Sequence, residues 1–264
     1  MTATTTATAQ ATPSALTEPA RPSLAILTAV EVRKMVDTRA GRWLLILIGL
    51  TAVAMMPVIL FAADKDDQSL MEFLSASQIG VTLLLPVLGI LSITSEWSQR
   101  TALSTFCLTP ERHRVVIAKL AGGSALAAVF VAVGTVTAVL ARTVGAVTGQ
   151  SGGSWDLPIS GLGKMLLLAV IALLSGAAFG MAFMNSPLAI VLYFVLPTVW
   201  TTLGQMVHWL KGPAGWLDTN RTLSAIGDAN VSAGEWARAG TSLLVWLLIP
   251  MVIGLIRLSR REVK

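Results

Sequence analysis

The groups in this chain best suited to chemistry are two histidines, one cysteine, a glycine-lysine pair and a glutamate with an arginine four residues on. His113 and His208 lie far apart, and no His-Glu-x-x-His sets two imidazoles on one helical face, so no zinc site is spelled out. Cys107 is the only cysteine; it cannot close an intramolecular disulfide and reads as a small buried side chain. Gly163-Lys164 would end a phosphate-binding loop of the form G-x-x-x-x-G-K-[ST]. Met165 follows where Ser or Thr is needed, however, and Pro158 stands at the first glycine. No catalytic residue, metal ligand or cofactor is therefore expected, and the charged residues need another explanation.

The elements that must position them are apolar. Of 264 residues 54% are hydrophobic and 12% charged, and the mean hydropathy is +0.73, far from the balance of a soluble domain. The chain reads as an all-α membrane protein. Residues 1–22, rich in Thr, Ala and Pro with no apolar core, are expected to be a disordered tail, and residues 23–264 one membrane domain. The tail lacks the apolar run behind a basic start that marks a secretory signal.

Charge-free length places the spans. Trp43–Ala63, Phe73–Ser95 and Leu120–Ala141 hold 21, 23 and 22 residues, each enough to cross a core of about 30 Å at about 1.5 Å per residue. Between Lys164 and Lys211 lie 46 residues without Asp, Glu, Lys or Arg, room for two spans joined by a turn at Asn185-Ser186-Pro187. Ala239–Ile256 is the sixth, 18 residues long, extended upstream by a capping box at Ser232-Ala233-Gly234-Glu235.

Six crossings put both termini on one side. Arg21, Arg33, Lys34, Arg39, Arg42, Arg100, Arg112, Arg114, Lys119, Arg257, Arg260, Arg261 and Lys264 fall on that side, thirteen cations. The other side has six: Lys65, Arg142, Lys164, Lys211, Arg221 and Arg238. The positive-inside rule makes the termini cytoplasmic, and the expected location is the plasma membrane. The two histidines then face opposite compartments.

Ser95–Leu120 becomes the largest cytoplasmic loop. Thr109-Pro110-Glu111 reads as a helix start leading straight into span three. Before it Leu103, Phe106 and Cys107 make a short apolar stripe, with Trp97 at the membrane edge, which suggests a short surface helix. A basic loop that only satisfies topology and anionic lipid is the alternative. Glu96 and Arg100 also have the spacing of a local ion pair.

No Asp, Glu, Lys or Arg falls inside an expected span, against the habit of proton relays and ion-coupled carriers. Glu96-x-x-x-Arg100 is similar to part of the motif of CAAX-type membrane proteases. Ser95 stands where the paired glutamate belongs, and Gly212 follows His208 where an asparagine belongs. An enzyme is disfavoured.

From about Leu24 to Lys264 the order of elements resembles the permease subunits of type-2 ATP-binding-cassette (ABC) exporters. That family places an amphipathic helix on the inner surface before span one; Ala25, Ala29, Val32 and Val36 form an apolar stripe ahead of Arg39, Arg42 and Trp43, with Leu24, Leu27 and Met35 off it. The family's coupling helix between spans two and three carries a loose pattern of Glu, Thr, Pro, Arg and Lys, matched by Glu96, Thr101, Pro110, Arg112 and Lys119. Arg100 stands where the family often has glycine. The closing Arg257-x-x-Arg260-Arg261-Glu262-Val263-Lys264 is similar to the family's ending.

The resemblance implies a membrane subunit without its own ATPase site. It implies two copies of a cytoplasmic ABC ATPase and a second permease copy or homologous permease as partners, with membrane lipids around them and no nucleic acid. Trp97–Thr109, including Leu103 and Phe106, would dock on the ATPase. Glu96, Arg100 and Arg112 would make polar contacts, Arg114 and Lys119 would complete the coupling set, and the helix from Pro110 would act as a lever. The family's cargoes are amphiphilic drugs, peptides and lipids. A non-transporting membrane scaffold or immunity protein is the alternative from a different class.

Gly176-x-x-x-Gly180 allows close helix approach, within the chain or at a subunit interface. Pro86, Pro197 and Pro250 lie inside spans and bend them. Between spans five and six, Trp209, Trp216 and Trp236 among polar residues suggest short outer interfacial helices, and the resembled family has partly re-entrant helices there. Trp200 and Trp246 sit deeper, as packing residues or part of a substrate path.

Overall fold

The computed structural model describes residues 22–99, 111–227 and 231–260. The expected tail through residue 21 lies outside them, as do Arg100, Thr101, Leu103, Phe106 and Pro110 of the expected coupling segment. Among the described residues the secondary structure is helical throughout, and six helical stretches are long and apolar enough to cross a membrane.

Ser23 opens α1 (Leu24–Asp37) by accepting from the Ile26 amide at 3.3 Å. Thr38 ends it and, through its own hydroxyl, caps α2 (Arg39–Ala62) at the Gly41 amide. The corner is so tight that a Cβ on Gly41 would lie 1.9 Å from the Met35 carbonyl oxygen, and only glycine fits. α1 leaves Ala25, Ala29 and Val36 of the expected stripe exposed and Val32 partly buried. Its buried residues are Glu31 and Met35, while Leu24, Ile26, Val30 and Val36 are exposed.

Phe73–Ser95, expected as one uninterrupted helix, is broken at Gln78 into α3 (Leu70–Ser77) and α4 (Ile79–Ser98). Polar side chains make the break: Ser77 donates back to the Leu74 carbonyl at 2.6 Å, and the Gln78 amide donates to Ser77. α5 (Arg112–Val147) runs for 36 residues, about 54 Å, so the expected span is only its middle. Glu111, expected in the first turn, is instead the residue before it.

α6 (Ile159–Phe183) and α7 (Ser186–Met206) meet at the expected turn, with Met184 left-handed at φ 49° and Asn185 accepting from the Leu188 amide at 3.0 Å. α4 and α6 form the centre, each span more than half buried. A Cβ on Gly176 would lie 2.0 Å from the Pro86 carbonyl oxygen, so the Gly176/Gly180 face packs on α4 of the same chain. The outer helices turn apolar side chains outward, among them Trp43 at 65% and Phe61 at 76% exposure. Water would penalise that surface; lipid does not. α2 also carries Pro57 inside it, beside the three span prolines expected.

After a short 3₁₀ turn at His208–Leu210, α8 (Lys211–Leu217) and α9 (Thr219–Gly227) fold back as a hairpin. The last span is α10 (Ala233–Leu243), a π-helical segment at Leu244–Leu248 and α11 (Ile249–Arg260), opened by the expected capping box between Ser232 and Glu235. The Trp246 indole donates to the Leu217 carbonyl at 2.8 Å. Trp246 lies about 20 Å along the last span from Ala233, so the hairpin tip at Asp218 reaches well down the bundle. Asp218 spends one carboxylate oxygen on the Asn220 and Arg221 amides, capping α9.

Candidate functional site

Lys119, two turns into α5, faces inward at the end of the bundle where α1, α4 and α5 meet. Its ammonium donates to Glu31 at 2.6 Å and to Glu96 at 3.0 Å. Lys34 donates to the same two carboxylates, at 2.7 Å to Glu31 and 2.9 Å to Glu96. The result is a closed ring of two acids and two bases from three helices. Glu31, Glu96 and Lys119 are buried. Burying one such charge alone costs several kcal/mol, and the ring persists because every charge meets two of opposite sign. Burial pushes the Lys34 pKa down, but hydrogen bonds and charge from Glu31 and Glu96 outweigh it and hold the group above the usual lysine range.

The surrounding cations also turn to this chain's own groups. Arg112 donates to the Leu258 carbonyl of α11 at 2.6 Å. Arg114 donates to the Pro22 carbonyl at 2.7 Å and pairs with Glu111 at 3.6 Å. Arg257 donates to the Ala182 carbonyl, and Thr94 and Ser186 share a hydrogen bond of 2.7 Å. Both ends of the described chain and both stems of the loop between α4 and α5 thus gather at one end of the bundle.

Of the residues singled out for coupling, Glu96, Arg112, Arg114 and Lys119 come together here. Glu96, expected to make a polar contact in coupling, is buried and accepts from two lysines inside the protein. Trp97, expected at the membrane edge, packs on Ile93, Val116, Met181 and Leu258. The residues missed are Glu31 and Lys34. Their signal was the i, i+3 pairing of an acid and a base on α1, in a chain with only 14 acidic residues.

At the opposite end Arg142 is buried in α5. It donates to the carbonyls of Ser151, at 3.2 Å, and Gly153, and its guanidinium lies 4.6 Å from the Trp155 ring centroid. The loop it holds is strapped to the turn between α2 and α3 by Gly152 N–H to the Lys65 carbonyl at 2.8 Å and by the Ser151 hydroxyl to the Gln68 carbonyl at 2.9 Å. Lys119 and Arg142 are about 34 Å apart along α5, close to the thickness of a bilayer core of about 30 Å.

The tryptophans divide. Trp209 is 77% exposed, and Trp216 and Trp236 are about half exposed, with Arg238 stacked over Trp216 at 5.8 Å. Trp246 and Trp200 are partly buried, and the Trp200 indole nitrogen has no hydrogen-bond partner among the described residues. No group of three or more His, Cys, Asp or Glu side chains that could hold a metal ion occurs among the described residues. Compared with protein-family models and with curated protein sequences, the chain matches none. By its own structure it is a helical protein with six helices fit to span a membrane.

Proposed function

We propose that the chain is the membrane subunit of an ATP-driven exporter of the type-2 ABC class. It works with two cytoplasmic ATPase chains and a second permease copy or a homologue, and moves an amphiphilic drug, peptide or lipid outward. The observation that carries this reading is the buried ring Glu31–Lys34–Glu96–Lys119. It fastens both stems of the loop between α4 and α5 to each other and to α1. Force applied to that loop passes without slack into α4, packed on α6 at the centre, and into α5, which runs the full depth of the bundle. Coupling of this kind needs a firm element on the cytoplasmic side joined to spanning helices, and the ring supplies the joint. Glu96 and Lys119 are in this reading fasteners, and docking falls to the loop from Gln99 to Pro110.

The test is a pull-down of the tagged chain from its host in mild detergent, with partners identified by mass spectrometry. Wild type retains an ABC ATPase, and an Arg100→Ala/Phe106→Ala variant, which leaves the ring intact, loses it. If no ATPase co-purifies under conditions that retain other membrane complexes, the exporter reading fails and a membrane scaffold takes its place.

A further inference from the structure

Between α1, the first turn of α2, the end of α4 and the start of α5 lies a cavity of about 1000 Å³. The ion ring forms one wall. It does not present its charges evenly, because the side chains of Glu31, Glu96 and Lys119 are 6%, 10% and 6% exposed while that of Lys34 is 41% exposed. The carboxylates are engaged behind the ammonium that faces out. Arg39 stands exposed at the same opening, without a carboxylate partner among the described residues. Among the described residues the lining sets Lys34, Lys119 and Arg39 against Glu31 and Glu96, one positive charge in excess.

The rest of the lining is two-sided. Ser92, Ser95 and Gln99 offer hydroxyl and amide groups near the cations, and Leu27, Leu88 and Leu91 offer an apolar wall. Val30 of the lining is 45% exposed, and the same helix also turns Leu24 and Ile26 outward at 43% and 58% exposure. A helix with its ionic face inward and its apolar face outward is stable where its surroundings are lipid.

We propose that this cavity seats the headgroup of an anionic phospholipid. Its phosphate sits on Lys34 and Arg39, its neighbouring oxygens accept from the Ser95 hydroxyl and the Gln99 amide, and its acyl chains leave along Leu27 and Leu91. A free phosphate would use the cations and waste the apolar wall; a neutral-headed lipid would use the wall and leave the excess charge unanswered. Basic pockets at the ends of spanning helices bind acidic headgroups for this reason. The volume accommodates a headgroup with the first part of its chains. The inference uses the six spans but no ATPase partner, so it stands or falls separately from the exporter reading.

The experiment is native mass spectrometry of the full chain, purified in mild detergent, stripped of lipid and offered equal amounts of dioleoyl phosphatidylglycerol and dioleoyl phosphatidylcholine. The expected result is one phosphatidylglycerol per chain, preferred about fivefold or more, the factor one basic residue contributes near a membrane surface. Arg39→Gln removes that preference without lowering the unfolding temperature of the lipid-free protein, because the exposed side chain makes no hydrogen bond or ion pair among the described residues. Arg42→Gln, on the same helix but outside the cavity, keeps the preference. Equal retention of both lipids, or an equal loss in the two variants, overturns the proposal. Displacement of phosphatidylglycerol by millimolar inorganic phosphate also overturns it, in favour of a soluble anion.

Discussion

The two buried cations of α5 meet the same physical demand in opposite ways. Lys119 is answered by carboxylates from two other helices, and a second lysine balances those carboxylates in turn, so the charges cancel across three helices far apart in sequence. Arg142 is answered by carbonyls nine and eleven residues on and by an aromatic face, all from its own loop. The side chains suit the tasks. An ammonium is a compact charge able to sit between two acids, whereas a guanidinium is a weakly hydrated planar fork able to span two carbonyls and stack on a ring. The first arrangement joins three helices. The second closes a loop and goes no further.

The largest expected effect breaks the ring. Lys119→Met leaves two buried carboxylates facing one lysine and is expected to cost about 3–5 kcal/mol, read as a fall in unfolding midpoint in detergent. Adding Glu96→Gln to that variant removes one stranded charge and recovers part of the loss. Arg142→Met strands carbonyls and no charge, so about 1–3 kcal/mol is expected, with faster amide exchange confined to residues 149–155. If it costs as much as Lys119→Met, or loosens α1 and α4 as well, the contrast between joint and clasp is wrong.

Smaller effects sharpen the comparison. Trp155→Leu removes only the ring over the guanidinium, worth about 0.5–1 kcal/mol at a half-exposed site, and loop exchange should rise less than in Arg142→Met. The last contrast is in pH. Lys34 has its folded pKa raised, so the stability it contributes is full below the unfolded lysine value of about 10.4 and is lost as pH rises through the higher folded value. Unfolding midpoints should hold through neutral pH and fall in strong alkali. Lys34→Met should flatten that fall, and Arg142→Met should leave it in place, since a guanidinium does not titrate there.

Much of the framework was legible before any coordinates. Six apolar stretches, the turn at Asn185 and the capping box at Ser232–Glu235 follow from composition and from residues within four positions of each other. Local patterning did not say which face of α1 meets the protein: of the stripe Ala25, Ala29, Val32 and Val36 only Val32 is partly buried, beside Gly122, while Glu31 and Lys34 find partners on other helices. Gln78 breaks a stretch that hydropathy reads as continuous, through hydrogen bonds among Leu74, Ser77 and Gln78 that no apolarity scale registers.

By itself, then, the sequence determined how many stretches are long and apolar enough to cross a membrane and where local caps such as Asn185 and Ser232 begin a helix, since those depend on the length of apolar runs and on near neighbours. The tertiary structure alone decided that Glu31, Lys34, Glu96 and Lys119 share one site, that Gly176 faces Pro86, and that the hairpin tip meets Trp246. Those pairings depend on which helix faces which. Charges at the ends of spans look alike in sequence whether they meet water, headgroups or one another, and only packing separates the three.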